Sequence, residues 1–192
     1  MDPRLKLAIE SKNRDDIQNV VDDIINQMPP FTQNNFKKNR YDKTFLVPLY
    51  AIHANNMELL KLYIEDFKDD INQMNFFKWT LLCYAVVYGR TEIVNYLLEK
   101  GADVNIPDTS GKTPLMFAAT SLNKHEILKA LLDRGAVIDA RDQQGKTALM
   151  TAREEGNDGA VKIMEAYAPS EALQLVINPN GHEIFWSFSL LI

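Results

Sequence analysis

The stretch Asp108-Thr109-Ser110-Gly111-Lys112-Thr113-Pro114-Leu115-Met116-Phe117-Ala118-Ala119 returns 34 residues later as Asp142-Gln143-Gln144-Gly145-Lys146-Thr147-Ala148-Leu149-Met150-Thr151-Ala152. A weaker copy, Thr80-Leu81-Leu82-Cys83-Tyr84-Ala85, stands 33 residues before Thr113. The downstream half recurs as well: Glu92-Ile93-Val94-Asn95-Tyr96-Leu97-Leu98 and Glu126-Ile127-Leu128-Lys129-Ala130-Leu131-Leu132 lie 34 apart. Gly-Ala follows each, at Gly101-Ala102 and Gly135-Ala136. A period of this size marks a repeat array, not a single-core globule.

Each residue type in the unit has a mechanical reason. Thr113 followed by Pro114 is an N-cap with proline at the first helical position, where the missing N–H costs nothing and the fixed φ suits the helix. Ala118 and Ala119 let that helix approach its neighbours closely, and Gly89 ends the equivalent helix in a left-handed conformation. In the second helix Ile93, Val94, Leu97 and Leu98 form one apolar stripe that a lone helix pair cannot cover, so neighbouring units must stack. Gly101 closes the second helix, and Asp108 with Gly111 frames the tight turn into the next unit.

Together these residues resemble the ankyrin repeat, with its period of about 33 residues and T-P-L-x-x-A opening. The resemblance is clear over Asp108 to Ala166 and decays outside it. Pro48-Leu49, Glu58-Leu59-Leu60 and Ile71-Asn72 read as an eroded copy, and Leu7-Ala8-Ile9 with Asp16 to Val21 as an N-terminal unit without hallmarks. The fold class expected is an all-α ankyrin-repeat solenoid of about five helix-turn-helix units with hairpin-like connecting loops. It divides into an atypical N-terminal capping repeat over 1–25, a long projecting loop over 26–45, ankyrin repeats over 46–168, and a C-terminal capping helix and apolar tail over 169–192. Lys37, Lys38, Arg40 and Lys43 make that loop basic and read as a solvated segment. The capping helix is expected to run through Val176, with a turn at Asn178-Pro179-Asn180-Gly181. The apolar run Ile184 to Ile192 then folds back as a lid on the last repeat, or serves a partner or self-association.

Composition narrows the function. A net charge of −5 disfavours a surface built to neutralise nucleic-acid phosphates. One cysteine and three histidines exclude an intramolecular disulfide and leave too few ligands for a structural zinc. No cofactor is expected. The start carries no secretory pattern, and the longest apolar run is about half of a membrane span, so the expectation is a soluble, cytoplasmic chain with no membrane partner. Cys83 sits inside a first helix with nothing nearby to lower its pKa, and His53, His125 and His182 are scattered. Asp15-Asp16, Asp22-Asp23 and Asp69-Asp70 are adjacent pairs, which do not face one another on a helix. The reading is therefore not an enzyme. Its rival is an effector or regulatory protein whose activity would lie in Met1 to Phe45, where no catalytic constellation is visible.

The resemblance implies binding of another protein on a concave face made of hairpin tips and exposed first-helix ends. By position the tips supply Phe76, Phe77 and Trp79, then Thr109, Ser110 and Lys112, then Gln143 and Gln144. The helix ends supply Val87 and Tyr88, Thr120 and Ser121, and Glu154 and Glu155. Phe76, Phe77, Trp79 and Tyr88 stand where polar residues are usual. They are either partner anchors or packing for the 26–45 loop. With Asp103, Asp108, Asp139, Asp142, Glu154 and Glu155 flanking them, the expected partner has an apolar knob and basic surroundings. An inhibitor or immunity-type protein, or an adaptor, fits that description.

Overall fold

A computed structural model describes residues 2–29, 43–68 and 70–167, with backbone alone at 43–44, 176–177 and 183–184. Among them, helices pair in sequence order: α1 (Pro3–Ser11) with α2 (Arg14–Gln27), α3 (Lys43–His53) with α4 (Met57–Lys61), α5 (Leu81–Val87) with α6 (Thr91–Glu99), α7 (Pro114–Ala119) with α8 (His125–Asp133), and α9 (Ala148–Glu154) with α10 (Asp158–Tyr167). First helices pack on first helices along α3, α5, α7 and α9, and second helices on second helices along α6, α8 and α10. This is the expected all-α solenoid, and one continuous core runs through it from Leu5 to Met164.

Capping explains where the helices start. Asn13 accepts from the amides of Asp15 and Asp16, Asn56 from Leu59, Thr80 from Cys83 and Thr147 from Met150. Thr113 occupies the same cap position, but its buried hydroxyl has no hydrogen-bond partner, and Pro114 sets the start of α7. The stripe predicted for the second helices is the core: Ile93, Val94 and Leu97 are fully buried.

Three rows of left-handed residues define the repeat as firmly as the helices do. Lys12, Asn55, Gly89 and Gly156 turn the chain between the two helices of a pair, and Lys68, Gly101 and Gly135 end second helices. Lys78, Gly111 and Gly145 sit at the hairpin tips. Glu58 and Lys68 are ten positions apart, whereas Glu92–Gly101 and Glu126–Gly135 are nine apart. A π-helical turn over Leu62–Asp66 continues α4 and absorbs the additional residue.

Polar clamps cross the unit boundaries. The Arg90 guanidinium donates to the carbonyls of Ile52 and His53 at the end of α3 (3.2 and 2.6 Å). Two units later, the buried Asn157 amide donates to the carbonyls of Ala119, the last residue of α7, and of Ser121 (3.0 and 3.1 Å). The bonds to Ile52, His53 and Ala119 satisfy helix-end carbonyls that have no intrahelical partner.

Three sequence expectations shift. Pro48 does not open a helix: α3 starts at Lys43 and carries Pro48 inside it. Phe45, Val47, Leu49 and Ile52 on that helix are at most 1% exposed, so tertiary packing overrides the proline signal. Val176 is not helical; Val176–Ile177 pairs antiparallel with Glu183–Ile184, as suits β-branched residues. The expected 26–45 loop is shorter at both ends, since Asn26 and Gln27 belong to α2 and residues 43–45 to α3; its residues 30–42, the rest of the expected capping helix and the folded-back tail lie outside the described residues.

Hairpin contacts yield a stability prediction. A Cβ on Gly111 would stand 3.0 Å from the Gln143 amide nitrogen, whereas one on Gly145 would meet nothing within 4 Å. Both positions have positive φ, worth about 1–2 kcal/mol against a side chain. In urea unfolding, Gly145→Ala should lose that amount and Gly111→Ala about 1 kcal/mol more; equal losses would show that adjacent tips are not in contact.

Candidate functional site

The hairpin tips are held from within and from each other. Asn75, Asp108 and Asp142 take equivalent places: their amides donate to the carbonyls of Trp79, Lys112 and Lys146 (3.1, 2.9 and 3.0 Å). Their side-chain oxygens cap the turn. Asn75 Oδ1 accepts from Phe77 and Trp79, Asp108 Oδ1 from Ser110 and Lys112, and Asp142 Oδ1 from Gln144 and Lys146. Neighbouring tips are then joined by Thr109 N–H to Phe77 C=O (3.1 Å), Gln143 N–H to Ser110 C=O (2.9 Å) and the Gln143 amide to Thr109 C=O (2.9 Å). The tip residues singled out from sequence thus form one row.

Behind that row stands a ladder of rings. Trp79 leans on Tyr84 (centroids 4.9 Å) and on Phe117 (5.0 Å), bridging two repeats. Tyr84 in turn contacts Phe45 (5.8 Å) and stacks on Tyr88 (6.2 Å), and Tyr88 meets His53 edge-on (5.4 Å). Trp79, Tyr84, Tyr88, Phe117 and His53 are half-buried, so each keeps an open flank. Asn75 Nδ2 donates to the Tyr84 hydroxyl (2.9 Å), tying the tip to the ladder.

The four sequence-predicted aromatics therefore divide. Trp79 and Tyr88 are members of the ladder, while Phe76 and Phe77 project from the tip at 87% and 41% exposure, their rings 5.6 Å apart. Val87 and Ser121 are half-buried, and Thr120, Glu154 and Glu155 are exposed at the first-helix ends. Tyr84, Phe117 and His53 were missed. Tyr84 precedes Tyr88 by four positions, one helical turn, and Phe117 repeats Tyr84 after 33 residues, which is the signal that marks them.

The electrostatics differ from the sequence expectation. The carboxylates of Asp108 and Asp142 serve their own turns, and Glu154 is held by Lys146 (2.6 Å), which raises the lysine's pKa. Burial, reinforced by the Arg90 charge, lowers the pKa of His53 and favours its neutral ring beside Tyr88. Burial also pushes the Cys83 thiol up, away from thiolate chemistry. Among the described residues no group of three or more His, Cys, Asp or Glu is arranged to hold a metal ion, and no helix is long and apolar enough to cross a membrane.

Stacked helix pairs, linked hairpins and an open face of tips and first helices define a repeat-built scaffold. The family model for ankyrin repeats (3 copies) matches residues 5–108, 49–142 and 106–172, and the chain belongs to the ankyrin-repeat family. It is similar to a putative ankyrin repeat protein of Rickettsia bellii (strain RML369-C), 36% identical over 70 residues, or 34% of this chain and 42% of that protein. A second similarity is to the E3 ubiquitin-protein ligase Ufd4 of Drosophila melanogaster, 41% identical over 64 residues, or 33% of this chain and 2% of the ligase. The chain thus spans less than half the length of either relative. Ankyrin repeats generally serve as protein–protein interaction modules, and the family is typically non-catalytic.

The link between tip and ladder is testable at Asn75. Asn75→Ala removes both acceptor bonds and the donor to Tyr84, and should cost about 2 kcal/mol. Asn75→Asp keeps the turn, as Asp108 and Asp142 do, and should cost about 1 kcal/mol or less. Denaturant midpoints that rank the two variants the other way would show that the side chain does not hold the tip.

Proposed function

We propose that this chain is a non-catalytic interaction module that binds a partner protein through the face its family makes concave. One observation carries the reading: Phe76 and Phe77 stand exposed on a tip whose backbone is pinned, directly in front of the half-buried ladder of Trp79, Tyr84, Tyr88 and Phe117. A rigid tip limits the entropy lost on binding, and aromatic side chains bring large apolar area with few rotatable bonds. The partner is read as presenting an apolar knob to this centre. Of the basic surroundings expected from sequence, support remains at Asp139 and Glu155, because Asp103, Asp108, Asp142 and Glu154 already have partners within the chain.

Between an inhibitor and an adaptor, the adaptor is the reading we adopt. A stretch similar to 33% of this chain makes up 2% of a Drosophila E3 ubiquitin-protein ligase, so it is there a small part of a larger protein. The alternative of an effector with an enzymatic activity finds no supporting arrangement among the described residues, where the lone thiol is buried and its pKa raised.

The test uses the exposed rings, because truncating Trp79 or Tyr88 would also remove packing. A partner recovered with the full chain, identified and purified, should bind the Phe76→Ser/Phe77→Ser double variant about tenfold or more weakly, with the thermal midpoint unchanged. Unaltered affinity would remove the tip from the interface.

A further inference from the structure

Trp79, Lys112 and Lys146 occupy one position of the repeat, each closing a hairpin through its backbone carbonyl. Eight residues after them stand Val87, Thr120 and Glu154, at the ends of α5, α7 and α9. In the last repeat these two positions neutralise one another, with Lys146 Nζ 2.6 Å from Glu154 Oε2. In the repeat before it the same two positions hold Lys112 and Thr120, both exposed. The Thr120 hydroxyl donates to the Phe117 carbonyl (2.9 Å), and among the described residues no carboxylate forms an ion pair with Lys112. Asp108, the acid nearest in sequence, has its Oδ1 taken by the Ser110 amide, the Ser110 hydroxyl and the Lys112 amide. One face therefore shows the same ammonium site twice, filled at Lys146 and unfilled at Lys112.

The unfilled copy stands five residues before Phe117 of the aromatic ladder. Phe117 lies on the helix that begins two residues after Lys112, and its ring packs 5.0 Å from that of Trp79. Resting on the reading that this face binds a protein, we infer that the bound segment carries a carboxylate side chain beside an apolar one. The apolar group packs on the Trp79 and Phe117 rings, and the carboxylate takes at Lys112 the place Glu154 takes at Lys146. The net charge of −5 would by itself favour a basic partner at long range. At physiological salt, however, charges more than about 8 Å apart are largely screened. The ammonium group in direct contact therefore sets the preference at this point, and an ion pair desolvated against aromatic rings discriminates more sharply than one in open water.

A random linear peptide library panned against the full chain tests this. Wild-type protein should select peptides with Asp or Glu next to a large apolar residue. Such a peptide should bind Lys112→Thr about tenfold more weakly, while Lys112→Glu should select Lys or Arg in place of the acid. Lys112 is exposed, so melting midpoints of both variants should match the wild type; a fall in either would mean that Lys112 supports the fold and would count against the inference. Selected peptides that lack acids, or acidic peptides indifferent to Lys112→Thr, would overturn the inference and leave the face intact provided they still weaken on Phe76→Ser/Phe77→Ser. Peptides indifferent to all three substitutions, or no enrichment at all, would overturn the face itself.

Discussion

Everything in this chain depends on helix pairs that bury their apolar sides against the next pair. No single pair can enclose Ile93, Val94 and Leu97, or Ile127, Leu128 and Leu131, so stability is a sum over neighbouring interfaces. At such an interface the carbonyls that end a first helix must also find donors. Arg90 and Asn157 provide them from the following unit, so the apolar contact and the polar clamp fix the same spacing. Because stacking uses both flanks of each unit, the tips and the outer side of the first helices are left for other work.

That face separates what must be constant from what can vary. The turn needs a side-chain acceptor at its first position and a left-handed residue at its tip; Asn75 with Lys78, Asp108 with Gly111 and Asp142 with Gly145 meet both conditions. The side chains between and after these positions differ from hairpin to hairpin, although the Ser110 hydroxyl donates to Asp108 and the Gln143 amide to the Thr109 carbonyl. There the chain places phenylalanines and a tryptophan on one hairpin, threonine and serine on the next, and glutamines on the last. A rigid frame with variable side chains can acquire a specific partner without loss of fold.

Much of this was legible in the sequence, and the failures have physical causes. Thr-Pro-Leu, the paired alanines and the glycines located the units from Asp108 onward because those residues report backbone conformation directly. In the earlier units Lys12, Asn55, Lys68 and Lys78 adopt the same left-handed conformation without glycine, so the signal vanished while the geometry remained. Pro48 misled because an apolar helix packed on all sides tolerates it. The π-helical turn at Leu62–Asp66 hides an inserted residue that spacing alone assigns to no element. On the face, Tyr84 and Phe117 were not singled out, although each keeps an open flank. Asp108 and Asp142 were counted as free charge, because sequence does not distinguish a solvated carboxylate from one that accepts backbone amides.

The central claim is that the tip row and ring ladder are the surface a partner meets. Its most direct measurement is an NMR titration of isotopically labelled protein with the purified partner, following backbone and aromatic resonances together. The account predicts shift changes concentrated at Phe76, Phe77, Trp79, Tyr84, Tyr88, Lys112 and Phe117, with the exposed sides of α6, α8 and α10 unmoved. Changes confined to those second helices, with the aromatic resonances unaltered, would contradict it.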